Sequence, residues 1–324
     1  MSALLEVRDL SLDFETDAGA AKVLDRVTFG IGEGETFGLV GETGCGKTVT
    51  ALAILGLLPR TARIRAGEIR FQGRDLRAAT AAEMDRIRGA RIAMVFQDPA
   101  TSLNPLFRVG DQVARVVIIH EGVDRAAAER RVVDLFGRVG LPDPEAMLRR
   151  YPHELSGGMQ QRVMISMALS CRPKLLIADE PTTAVDVTLQ AQILDLLIQL
   201  KRDFGLSMLL ITHNLGVVAE TCDRVGVMYA GTVAEVAATR DLFREPLHPY
   251  TQSLLRAVPQ VRARGESLKA IPGIVPSLID PPGGCRYHPR CDFAMATCAR
   301  RRPELLEHRP AHEAACLLHE GVTA

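Results

Sequence analysis

The chain has 324 residues, 47% of them hydrophobic, enough for one sizeable core or two domains. Its 39 Lys and Arg residues balance 39 Asp and Glu, which argues against bulk binding to nucleic acid or to an anionic membrane surface. The apolar runs fall well short of the roughly 18 residues that a spanning helix needs, and no basic stretch with an apolar one behind it opens the chain as a signal peptide would.

Apolar alternation at 4–14 and 21–31, divided by Asp17-Ala18-Gly19-Ala20, predicts an antiparallel β start. Residues 35–40, 91–97, 174–179 and 207–212 are short apolar runs with few charges, the pattern of strands buried on both faces of a parallel sheet. In 187–204 the residues Leu189, Ile193, Leu196, Leu197, Leu200 and Phe204 share one face at helical spacing. The interval 98–170 carries helical patterns at 111–120, 124–139 and 157–170 and prolines between them, but no strand candidate, and so predicts a helical insertion. A hairpin is expected at 225–229 and 232–236 around Ala230-Gly231. From Pro259 onward prolines crowd a tail that also holds four of the seven cysteines. Strand and helix alternating in this way indicate an α/β sheet.

Three motifs carry chemistry. Gly41-Glu42-Thr43-Gly44-Cys45-Gly46-Lys47-Thr48 fits a phosphate-binding loop and follows an apolar strand, as that motif requires. Its glycines let backbone amides wrap phosphates, Lys47 reaches the terminal oxygens, and the Thr48 hydroxyl suits Mg²⁺. Downstream, Leu175-Leu176-Ile177-Ala178-Asp179-Glu180 is an apolar strand ending in two carboxylates, Asp179 for the Mg²⁺ shell and Glu180 as general base. Leu155-Ser156-Gly157-Gly158-Met159-Gln160-Gln161-Arg162 is a helix start suited to an anion: Ser156 caps it, and Gly157 and Gly158 allow close approach to unpaired first-turn amides.

Residues 155–162 closely resemble the signature sequence of ATP-binding-cassette (ABC) ATPases, and the other motifs of that family occur in the expected order. The resemblance implies a P-loop NTPase fold with a RecA-like core, an antiparallel β subdomain and a helical subdomain. It implies that Gln97 in Phe96-Gln97-Asp98 senses Mg²⁺ and the γ-phosphate, together with Thr48 and Asp179, and that His213 in Thr212-His213-Asn214 contacts the γ-phosphate. Asp186 resembles the aspartate at a dimer seam, and Phe14 the aromatic that stacks on adenine. In this family the signature residues Ser156, Gly157, Gly158 and Gln160 of one subunit would face the ATP held by the loop at 41–48 of another. Cys45 stands where serine is common, and Val185 replaces the usual leucine beside Asp186. A thiol at a helix N-terminus is expected to have a lowered pKa and to react readily.

Cys285, Cys291, Cys298 and Cys316 follow the spacing C-x5-C-x6-C-x17-C, which by itself admits zinc, iron–sulfur or a small cysteine-filled core. Leu247-His248-Pro249-Tyr250-Thr251, Ile271-Pro272-Gly273 and Gly284-Cys285-Arg286-Tyr287-His288-Pro289-Arg290-Cys291 closely match the C-terminal extension of oligopeptide/dipeptide permease ATPase subunits. That resemblance implies a 4Fe–4S cluster on the four cysteines, with Zn²⁺ as the alternative. His288, His308, His312 and His319 offer competing ligands in principle, but exposed surface histidines are the stronger expectation. The same resemblance divides the chain into a nucleotide-binding domain at 1–258 and an extension at 259–324. It further implies a bacterial ABC importer of peptides, or of nickel, glutathione or a related solute. The expected partners are a second, paralogous ATPase, two transmembrane permease subunits that dock a short helix in the cleft beside Gln97, and an extracytoplasmic solute-binding protein. The expected location is the cytoplasmic face of the membrane. A soluble ABC ATPase acting on DNA would need a long coiled coil and a basic face, and an iron–sulfur scaffold would not need the permease-like tail.

Overall fold

The alternation at the start of the chain does what it predicts. In the computed structural model, which describes residues 3–182, 187–257 and 271–320, β1 (Leu5–Thr16) and β2 (Gly19–Ile31) pair antiparallel from Leu5↔Ile31 to Thr16↔Gly19. Their inward side chains, among them Val7, Leu10, Leu24 and Val27, are buried. β3 (Thr36–Val40) is buried at every position, and the phosphate loop leads from it into α1 (Lys47–Leu55). β4 (Ala62–Phe71) then pairs with the other edge of β1 and carries β5 (Arg74–Asp75), giving a sheet ordered β2-β1-β4-β5.

The chain divides into two compact units, Met1–Ala78 with Ile211–Ala324, and Ala79–Leu210. The second begins with α2 (Ala81–Ile87), whose capping box joins Thr80 and Glu83 reciprocally. β6 (Ile92–Val95) follows, and then only helical elements: α3 (Pro99–Ser102), α4 (Val109–Glu121), α5 (Arg125–Arg138), α6 (Pro144–Met147) and α7 (Gly157–Leu169). The strand-free stretch expected at 98–170 is therefore present. α7 lies against α3, α4 and α5, which accounts for its burial on several sides. β7 (Leu175–Asp179) runs parallel to β6 from Ile92↔Leu175 to Val95↔Ala178, and α8 (Val187–Phe204) leads to β8 (Ser207–Ile211). Both β7 and β8 are buried throughout, as their short, apolar, nearly charge-free runs predict.

The first unit resumes with α9 (Leu215–Thr221) and the expected hairpin, β9 (Arg224–Tyr229) and β10 (Thr232–Ala238), with β9 parallel to β3. α10 (Thr239–Arg244) and α11 (Pro249–Arg256) follow. The tail then adds β11 (Leu306–Arg309) and β12 (His312–Ala314), so that within this unit the strands run β11-β12-β10-β9-β3. The cysteine-bearing tail is thus part of the same sheet as the strand that feeds the phosphate loop. Among the described residues no helix is long and apolar enough to cross a membrane.

One buried polar knot fastens β12 to β10. Glu235, fully buried, accepts from the amides of Leu247 at 2.7 Å and His248 at 2.9 Å, and its carboxylate lies 2.7 Å from His312 Nε2. His312 is therefore a core residue and not the surface histidine expected; pairing with a buried carboxylate outweighs the usual preference of histidine for water. His288, His308 and His319 are half-buried, the last two with ring centroids 5.3 Å apart.

His248 caps α11, its Nδ1 accepting from the Tyr250 amide at 3.0 Å. Burial pushes its pKa from 6.5 down to about 4, against the opposing pull of Glu235. The unfolded chain then binds this proton more readily than the folded one. Stability should fall as the pH drops below 6.5 and level off near 4, by at most about 1.4 kcal/mol per pH unit from this residue. His248→Asn keeps a capping oxygen and removes the titration. Thermal melts between about pH 7 and pH 5 should show a shallower decline in the variant, and parallel curves would refute the assignment.

Candidate functional site

The phosphate loop is open on one side and anchored on the other. Thr43, Gly44 and Thr48 are exposed, whereas Gly41, Cys45, Gly46 and Lys47 are buried. Gly46, at φ 106°, is the cap of α1, and a Cβ there would sit 2.6 Å from Leu24 Cδ2. Gly41 passes so close to the Met228 carbonyl that any side chain would collide with it. Lys47 folds back across the loop, its Nζ donating to the carbonyls of Gly41 at 2.8 Å and Glu42 at 3.2 Å. An ammonium held this way sits inside a ring of backbone where phosphate oxygens could be received. The Thr212 amide donates to the Leu39 carbonyl at 3.3 Å, so His213 leaves the sheet alongside the strand end that starts the loop, and it is exposed. Phe14 lies on β1, half-buried, opposite Ala21 and Ala62.

In the second unit the parallel register of β6 and β7 brings the next residues of both strands together. Gln97 Nε2 donates to Glu180 Oε2 at 3.3 Å. Asp179 is buried at the end of β7, and Glu180 adopts a left-handed φ of 46°, a strained backbone for a side chain of its size. Such strain at a strand end is common where a reactive side chain is being aimed. Thr48 and Asp179 each offer a hard oxygen donor of the kind Mg²⁺ takes.

Ser156 caps α7, its Oγ accepting from the Met159 amide at 3.4 Å. Space around Gly157 is open, and a Cβ at Gly158 would sit 2.5 Å from Leu189 Cδ2, so the first can admit a ligand and the second admits helix α8. Gln160 behaves differently from the expectation: its amide nitrogen donates to the Pro152 and Leu155 carbonyls at 2.8 and 3.4 Å, fixing the turn before the helix. Gln161 Nε2 donates to the Pro181 carbonyl at 2.8 Å and so ties this helix to the segment after Glu180. Asp186 and Val185 lie outside the described residues.

Glu42 is held by the protein itself: its amide donates to Tyr250 Oη at 3.0 Å and its carboxylate pairs with Arg290 of the tail. Cys45 is fully buried, and burial pushes its thiol pKa up against the pull of Lys47, where a lowered value was expected. The helix-terminus argument presumes a solvated thiolate, and desolvation wins here.

All four tail cysteines are free thiols lining one small pocket with His248, Tyr287 and His288. Each sulfur accepts backbone amides: Tyr287 and His288 on Cys285, Phe293 on Cys291, Met295 on Cys298 and Leu318 on Cys316. Burial, with the other three thiols adding to it, pushes Cys316 up to about 11. Among the described residues, however, no group of three or more His, Cys, Asp or Glu side chains is arranged as a metal site, these four included.

Residues 24–183 match the ABC transporter family, and residues 234–298 match the oligopeptide/dipeptide transporter C-terminal region. The chain is similar to a probable peptide ABC transporter ATP-binding protein, y4tR, of Sinorhizobium fredii, at 52% identity over 97% of this chain and 94% of that protein. It is 46% identical to the dipeptide transport ATP-binding protein DppD of Escherichia coli, over 94% of this chain and 93% of that one. It is 48% identical to the oligopeptide transport ATP-binding protein AppD of Bacillus subtilis, over 99% and 98%. Among solved structures, the dimeric ATP-binding cassette MJ0796 bound to ADP and Pi superposes with a TM-score of 0.65 at 25% identity, covering 73% of this chain and 99% of that chain.

The burial of Cys45 has a direct consequence. Brief maleimide treatment of the native protein at neutral pH should leave Cys45 unmodified by peptide mass spectrometry, and denaturation should expose it. Rapid native labelling would contradict the burial.

Proposed function

The chain belongs to the ABC transporter family as an ATP-hydrolysing subunit, and we propose that the solute whose import it drives is a di- or oligopeptide. The observation that carries this reading is the full-length similarity to three ATP-binding proteins named for peptide, dipeptide and oligopeptide transport, the tail included. Two transmembrane permease subunits, which dock beside Gln97, and an extracytoplasmic solute-binding protein complete the importer. This chain sits at the cytoplasmic face and pairs with a second, paralogous ATPase.

In this reading the ATP phosphates lie on the loop at 41–48 with Lys47 among them, and Phe14 stacks on the adenine. Thr48, Gln97 and Asp179 would hold Mg²⁺, which when bound neutralises charge developing on the transferred phosphoryl group. Glu180 takes the proton of the attacking water; its strained backbone and its hydrogen bond to Gln97 hold the carboxylate in a fixed direction. His213 contacts the γ-phosphate from the same unit as the loop. Ser156, Gly157 and Gly158 face the nucleotide of the partner ATPase across a seam where Asp186 lies. The exposed, uncrowded Gly157 supports that role, and the dimeric cassette bound to ADP and Pi supports the pairing. Closure of two such half-sites on ATP and their release after hydrolysis would drive the permease.

The four tail cysteines hold a 4Fe–4S cluster in this proposal. Four soft donors around one pocket suit it in kind. Among the described residues the four sulfurs are not grouped as a metal site, so ligation would require them to draw together. The cluster's role is to staple a tail of little regular structure.

Glu180→Gln should leave ATP binding intact and cut phosphate release by about 100-fold or more, with ATP retained on the protein. Undiminished hydrolysis would remove Glu180 from the mechanism. Protein purified without air should carry iron and acid-labile sulfide with broad visible absorbance that is lost in Cys298→Ser. Stoichiometric zinc without iron would decide for a zinc tetrathiolate, and neither metal for a plain cysteine core.

A further inference from the structure

The short segment 285–291 of the tail carries two arginines, and both are buried against the phosphate loop's supports. Arg290, its side chain 5% exposed, meets the Glu42 carboxylate with both fork nitrogens, NH1 at 2.8 Å and NH2 at 3.2 Å. Its Nε donates to the Pro272 carbonyl at 2.8 Å, NH1 also donates to Tyr229 Oη at 3.3 Å, and its guanidinium stands 5.7 Å from the centre of the Tyr229 ring. Tyr229, Tyr250 and Tyr287 pack together beneath, with centroids 4.6 to 5.3 Å apart, and Tyr250 Oη takes the Glu42 amide. Arg286, 4% exposed, donates to the Ala230 and Lys22 carbonyls and pairs with Asp25 at 3.2 Å. The turn it braces presents the Gly231 amide to the Cys45 carbonyl at 2.9 Å. The loop is therefore gripped at residue 42 and at residue 45, while Thr43 and Gly44 between them stay exposed.

A carboxylate in a loop that binds a polyanion is a liability. Left unpaired, Glu42 would repel the phosphates, and its backbone would be free to follow its side chain toward solvent. Burying a guanidinium is costly unless it meets a matched fork, and here the match is bidentate. We propose that the tail is part of the nucleotide site: Arg290 neutralises Glu42 and, with Arg286 behind the Ala230–Gly231 turn, fixes the phosphate loop in its anion-receiving shape. Arg290 is thus a positioning residue for ATP binding. This rests on the reading of 41–48 as the ATP loop.

The test is equilibrium binding of a fluorescent ATP analogue, and of the ADP analogue, to the full chain. Arg290→Gln should weaken ATP binding about tenfold and ADP binding less, since the triphosphate meets more of the uncovered charge. Glu42→Gln placed in that background should recover most of the loss, because the repulsive charge goes with its partner; a purely structural arginine would show no such rescue. A folded Arg290→Gln variant with unchanged ATP affinity, or a double variant as weak as the single, would overturn the proposal. Arg290→Lys, which keeps charge and bulk but loses the fork, covers poor folding of the first variant: about threefold weakening is expected, and no change overturns it. Lys47→Ala serves as the reference. Full ATP binding in that variant would show that the nucleotide lies elsewhere and would count against the loop reading, separately from the clamp.

Discussion

A loop that holds phosphate with its own amides can spend few of them on its own shape. Backbone hydrogen bonds are what ordinarily fix a chain segment, and here the Cys45 amide closes within the loop, on the Glu42 carbonyl at 3.2 Å. Most of its shape has to come from other groups. Here the buried strand β3 delivers it, the Met228 carbonyl limits Gly41, Lys47 closes on two carbonyls from within, and Gly231 and Tyr250 take one carbonyl and one amide from beneath. Most of the first unit can be understood as the support that this requirement demands.

The second unit meets the complementary requirement, which is to aim side chains. β6 and β7 are parallel and in register, so the residues that leave their ends are neighbours by construction, and Gln97 reaches Glu180 without any long connection. The positive φ at Glu180 turns the chain sharply there. That strain is tolerable because the residues before it are buried at every position of β7 and the residue after it, Pro181, is tied to Gln161 of α7. The signature helix and the acidic strand end are thus one mechanical piece inside this unit.

Much of this was legible from sequence where the signal is local. The phosphate loop, the acidic strand end, the capped helix at 157 and the hairpin at 230 each advertise themselves in a few adjacent residues. β4 is hard to see in sequence although its alternation is present, because arginines at 63, 65 and 70 crowd the pattern with charge. β11 and β12 are too short to show a period; they exist because β10 offers an edge to pair with. At Cys45 the helix terminus is local and legible, but the burial that reverses its effect is tertiary. The burial of His312 against Glu235 is tertiary in the same way. The roles of Arg286 and Arg290 are not legible in sequence, since nothing there says that Glu42, far earlier in the chain, needs a partner.

That last omission bears on why cysteines and phosphate loop occur in one unit. Arg286 and Arg290 lie inside the interval bounded by Cys285 and Cys291, and the short helical turn His288–Arg290 fixes the spacing between them. Anything that holds the two sulfurs also holds the two guanidinium groups in place. Tyr287 is its one large buried anchor, packed on Tyr229 and Tyr250, and the carbonyls the segment meets are on β2, on the turn after β9 and on the stretch at 271–272. Keeping two buried arginines aligned from so short a segment carries an entropic cost. The proposed cluster would lower that cost by linking the sulfurs, and its rigidity would reach Glu42 through a fork that tolerates little misalignment. In that proposal the four-thiol pocket and the phosphate loop are two ends of one support.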